Sequence, residues 1–130
     1  MRLSNKHHSN IRRAIEWAER SDMKVRVGAV MNGAGKISGH HNRFRNRPAL
    51  DIDQAHHMCS YHAEEGAISN AYNNGENGTI TIARLGKTGN TLPSFPCDAC
   101  LILILKAGVR KIVWYNGSKW QISTVRTKTL

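Results

Sequence analysis

A three-layer α/β/α fold, with a mixed five-stranded sheet and helices on both faces, is what this 130-residue sequence predicts. Three observations carry that expectation. Runs rich in β-branched residues, such as Thr79-Ile80-Thr81-Ile82, alternate with segments of helical periodicity. Helix-ending glycine stands where such a segment stops, as at Gly108. Asn116-Gly117 lies between two β-type runs and is a hairpin signal, so the last strand returns antiparallel and the sheet is mixed.

The elements follow in order. Ile11, Ala14, Ile15, Trp17 and Ala18 recur at helical spacing, which predicts a helix from Ile11 to Arg20 capped by Ser9 or Asn10. Val25 to Met31 reads as a first strand and Asn32-Gly33-Ala34-Gly35 as a turn. Lys36 to His40 reads as a second strand. A polar, basic stretch from Asn42 to Tyr61 leads to a second helix, which opens at His62 and ends at Asn73-Asn74-Gly75. Thr79 to Leu85 is a third strand, and Gly86 to Phe95 a loop into a third helix from Cys97 to Ala107. Lys111 to Tyr115 and Trp120 to Val125 complete the sheet.

Length and composition fit one domain over residues 1–130, large enough for its own core. No run approaches the roughly 18 to 20 apolar residues needed to cross a bilayer, so no membrane partner is expected. The N-terminus, Met1 to His8, has no apolar core of the secretory kind. Three cysteines, two of them in the motif described next, leave Cys59 alone, which argues against a disulfide framework and for a reducing, cytoplasmic setting.

The chemistry concentrates in His62-Ala63-Glu64 and Pro96-Cys97-Asp98-Ala99-Cys100, with 31 residues between Glu64 and Pro96. One imidazole and two thiolates balance Zn²⁺ and leave a coordination position open, an arrangement of catalytic rather than structural zinc. Such a metal lowers the pKa of bound water from about 15.7 to roughly 7. Cys97 and Cys100, three apart, share one face of a helix, and Pro96 suits its start. The helix N-terminus favours thiolates. Glu64, two residues from the first ligand, is then the general acid–base rather than a ligand. The rival is a closed structural zinc site, with Cys59, His56 or His57 as fourth ligand, which gives Glu64 no task.

These residues resemble the cytidine/deoxycytidylate deaminase superfamily, whose pattern is H-x-E…P-C-x-x-C. The likeness extends from about Ile11 to Val125 and implies the cytidine-deaminase-like fold. Val27 to Val30, Ser38 to Asn42 and Ala107 to Val113 resemble family segments. The resemblance implies that Asn42 contacts the nucleoside sugar and that backbone beside Ala63 bonds the base. Phe95, just before Pro96, would border the pocket. It also implies a homo-oligomer, and the apolar run Leu101 to Leu105 fits a helix buried between sheet and partner or within the core.

The substrate is divided among readings. A histidine first ligand leans toward the deoxycytidylate and nucleic-acid branches, whereas an antiparallel last strand is the free-nucleoside arrangement. Nineteen Lys and Arg against nine Asp and Glu give a net charge of +10, which attracts phosphorylated partners. Arg43 and Arg45, with Arg47 and Phe44, could clamp a 5′-phosphate or track a nucleic acid, or form a solvated basic loop. The reading that results is a zinc-dependent deaminase converting dCMP to dUMP. Free cytidine or deoxycytidine, and a base within tRNA or single-stranded DNA, are the alternatives. A zinc-stabilised nucleic-acid-binding module is the non-enzymatic one. His40, His41, His56, His57 and Cys59 also raise a second zinc.

Overall fold

Strand pairing across one central sheet organises the chain. The computed structural model describes residues 2–33, 36–44, 60–71 and 77–125. Helix α1 (Asn5–Glu19) precedes β1 (Arg26–Gly33) and β2 (Lys36–His41), which pair as a hairpin. Short strands β3 (Arg43–Phe44) and β4 (Ser60–Tyr61) pair with each other. Helix α2 (Ala63–Ala71) leads to β5 (Thr79–Leu85) and β6 (Thr91–Leu92), and helix α3 (Asp98–Lys106) to β7 (Lys111–Tyr115) and β8 (Trp120–Thr124). The main sheet runs β2-β1-β5-β7-β8, with β6 attached to β5. Among the described strands only β5 and β7 pair in parallel, joined across α3, while β7 and β8 are antiparallel as the Asn116-Gly117 hairpin predicts. The mixed five-strand sheet is as expected; the added two-residue strand β6 forms because Thr91 and Leu92 find Leu85 and Arg84 open at the end of β5.

The two faces of β5 decide the layers. Ile80 and Ile82 join Ala29, Met31 and Ile112 beneath Ala63, Ala67 and Ile104 of α2 and α3, all buried. Ala83 and Val30 instead meet Ala14 of α1. α1 lies close against β1, because a Cβ at Gly28 would fall 2.0 Å from the Ala14 carbonyl oxygen.

α1 starts at Asn5, six residues before the expected Ile11. Its cap is Ser4 rather than Ser9 or Asn10. The Ser4 side chain accepts from His7 N, and the His7 ring accepts from Ser4 N at 3.0 Å, a capping box with histidine in the acidic position. The first turns are polar, so apolar periodicity does not report them. β1 also continues to Gly33, through the Asn32-Gly33 pair expected to turn, because β2 and β5 pair with it there. α2 begins at Ala63, which places His62 just before the helix. Gly108 has φ 80° and ends α3 as predicted, its N–H donating to Leu105 O and that of Val109 to Ile104 O.

Candidate metal centre and pocket

Two helix starts meet above the ends of β1 and β5. His62 sits at the cap position of α2, and its backbone N–H donates to the Glu65 carboxylate at 3.2 Å, half of a capping box that fixes the chain entering the helix. Cys97 is the cap residue of α3 and Cys100 lies in its first turn. Their ligand atoms and that of His62 lie within 4.8 Å of one another. His62 Nδ1 is 3.3 Å from Cys100 Sγ and 3.8 Å from Cys97 Sγ. Tetrahedral zinc with ordinary Zn–S and Zn–N bond lengths separates S from N by about 3.6 Å. The donor set therefore fits zinc in both chemistry and spacing.

Glu64 is buried, 5% exposed, beside this cluster. Burial, first of all, raises its carboxyl above the usual carboxylate range; its own backbone N–H, His62 and the Cys100 thiol pull the other way. Burial also pushes the Cys100 thiol up, helped by the charges of Glu64 and Cys97. From its place in the sequence, the helix start is expected to favour thiolate at both cysteines. In the fold, desolvation dominates at Cys100, and a dication held by the cluster would offset it.

A cavity of about 500 Å³ opens beside the cluster, within the range of small-molecule sites. His62, Ala63, Glu64 and Cys97 line it, together with Val27, Ile82 and Phe95. Phe95 is 44% exposed, its ring held edge-on by Trp114 at 4.9 Å. Ser94, missed in the sequence, anchors this loop: its hydroxyl donates to Ile82 O at 2.7 Å and accepts from Tyr115 N at 2.9 Å.

Asn42 also lines the cavity, and its amide is already engaged. Its oxygen accepts from Val27 N at 2.8 Å, and its NH₂ donates to Val25 O at 2.9 Å and Met23 Sδ at 3.2 Å. Both N–H donors are thus committed, leaving the second lone pair of the oxygen for an incoming hydroxyl. Arg43 lies on β3 and is exposed, and it is not among the residues lining the cavity. Among the described residues, the cations that do line it are Lys24 and Arg84, neither singled out by the sequence. Strand alternation puts Arg84 on the face of Ile82; Lys24 lies outside any regular element and carries no such signal. Arg45, Arg47, His56, His57 and Cys59 lie outside the described residues. His40 and His41 stack at 5.4 Å next to Trp17. Among the described residues, His62, Cys97 and Cys100 are the one metal-competent group.

The family model for the cytidine and deoxycytidylate deaminase zinc-binding region matches residues 4–116. Among solved structures, the cytidine deaminase of Burkholderia pseudomallei is similar at 20% identity and TM-score 0.68, over 91% of each chain. That of Mycobacterium leprae is similar at 20% identity and TM-score 0.60, over 92% of this chain and 94% of that one. The dCMP deaminase of cyanophage S-TIM5 is similar at 17% identity and TM-score 0.59, over 85% of this chain and 82% of that one. Comparison with curated protein sequences returns no significant match.

Proposed function

The chain belongs to the cytidine and deoxycytidylate deaminase zinc-binding family, and from that premise we propose that it deaminates dCMP to dUMP with release of ammonia. One observation carries the reading: the cluster of His62, Cys97 and Cys100 stands beside buried Glu64 at a cavity sized for a small molecule. Zinc bound there supplies the Lewis acidity that makes water nucleophilic at neutral pH. Glu64 takes one proton from that water and delivers it to the ring nitrogen, then takes the second from the oxygen newly bonded to C4 and delivers it to the departing amine. The C4–O bond forms, the C4–N bond breaks, and uracil and ammonia result. Burial of Glu64 supports this, because a carboxyl with a raised pKa is a better match to proton transfer near neutrality. Val27 and Phe95 flank the base, and Ala63 offers backbone beside it.

Free cytidine or deoxycytidine is the second reading, favoured by the antiparallel pairing of β8 with β7. Zinc-loaded protein is incubated with dCMP, deoxycytidine, cytidine and a cytosine-containing single strand, and ammonia is measured. Turnover of dCMP is expected, with Glu64→Gln slower by about 10²- to 10⁴-fold at unchanged zinc content. Ammonia from the strand alone moves the assignment to nucleic acid, and from cytidine in preference to dCMP, to the second reading. No ammonia from any of the four overturns deamination.

A further inference from the structure

We propose that Lys24 and Arg84 form the phosphate-recognising end of this cavity, so that the site selects a nucleoside monophosphate over the free nucleoside. The inference rests on the deaminase reading for the orientation of the ligand, base inward and sugar outward. It assigns the phosphate to two cations that line the cavity, which Arg43 does not.

The cavity lining has a buried part and a solvent-facing part: Ala63 is fully buried and Glu64 nearly so, Val27 is partly buried, and Cys97, Phe95, Lys24 and Arg84 are exposed. The two cations therefore belong to the solvent-facing part of the lining, and Glu64 to its buried part. Arg84 reaches it through strand register. It pairs with Val27 across β1 and β5 and shares a face with Ile82, two residues deeper along the strand. Lys24 reaches it from the segment between α1 and β1, and that segment is held by Asn42. The Asn42 amide donates to Met23 Sδ and Val25 O and accepts from Val27 N–H, bracketing Lys24 on both sides. Asn42 acts here as a positioning residue for Lys24.

Charge complementarity names the ligand class. Among the described residues, Glu64 is the one carboxylate lining the cavity, and it is buried. A neutral nucleoside has no group that requires two cations in the solvent-facing part. A 5′-phosphate does, since guanidinium and ammonium groups bind phosphate through charge-assisted hydrogen bonds. Arg26 does not join them, because its guanidinium donates to Gly86 O at 3.2 Å.

The test measures binding and turnover separately on the full, zinc-loaded chain. Calorimetric titration of Glu64→Gln protein with dCMP and with deoxycytidine reads the phosphate contribution without turnover. Ammonia release from both compounds reads the reaction. The expected result is tighter binding of dCMP. Lys24→Ala and Arg84→Ala each weaken dCMP binding, and lower its kcat/KM, by about 10- to 100-fold. Both leave deoxycytidine within about threefold, and Arg84→Lys restores part of the loss. Equal effects on dCMP and deoxycytidine overturn the proposal, as does equal affinity of the parent protein for the two. Selective dCMP binding without ammonia release in the parent chain removes the deaminase reading while upholding the phosphate site. The two failures are thereby distinguished.

Discussion

Asn42 shows how a residue acquires a second task through its surroundings. Its oxygen and NH₂ hold three points of the Met23–Val27 segment, and its side chain still lines the cavity. Replacing it with alanine leaves the Val27 N–H and the Val25 carbonyl without this partner. We expect Asn42→Ala to lose roughly 1–3 kcal/mol in urea unfolding and to raise KM for dCMP as Lys24 loses its support. A side chain that served only to touch the sugar would leave the unfolding curve unmoved. The metal-competent residues were legible because their chemistry is local: His62 and Glu64 are two apart, Cys97 and Cys100 three. The partners of Asn42 lie 15 to 19 residues upstream, and no periodicity connects them.

Among the elements, α1 departs furthest from expectation, and its start carries a pH dependence. His7 Nδ1 accepts the Ser4 N–H, which only a ring unprotonated at Nδ1 can do. The His7 pKa lies below its ordinary 6.5, burial being the first cause and the Lys111 charge the next. Below about 6.5 the unfolded chain therefore binds more protons here than the folded one. The cap's contribution is full above that pH and is lost as pH falls through the folded value. The urea midpoint should drop between about pH 7.5 and pH 5.5. It should drop less in His7→Gln, because glutamine fills the same place in a capping box and does not titrate. An equal drop in the two proteins would remove His7 as a cause. The strands were more legible than this helix. Thr79–Leu85 and Lys111–Tyr115 have the predicted bounds because β-branched and aromatic residues are dense there.

For the whole molecule, the metal centre joins elements that the sheet merely brings near. His62 enters α2 and Cys97 and Cys100 enter α3, so zinc held by all three ties two helices of one layer. Binding to the folded state alone stabilises it by mass action. At zinc a hundredfold above its Kd the gain is about 2.7 kcal/mol, roughly 10 °C in Tm for a chain of this length. A chelator should remove that increment from the parent protein. The Cys97→Ala/Cys100→Ala double variant should show none to remove. An increment that survives in the double variant would place the metal elsewhere.

By itself the sequence determined the layered α/β class, the antiparallel final hairpin and the identity of the residues that could meet zinc. Each of these follows from short-range rules: alternation along a strand, turn residues, and ligand types a few positions apart. Only the tertiary structure decided which cations face the cavity and what holds its lining in place. Strand register sets Arg84 opposite Val27. The Asn42 amide fixes the segment that carries Lys24. Ser94 ties the Phe95 loop to β5 and β7. Those contacts join residues from 12 to 57 positions apart, and their geometry exists only once the sheet has brought distant segments to one edge.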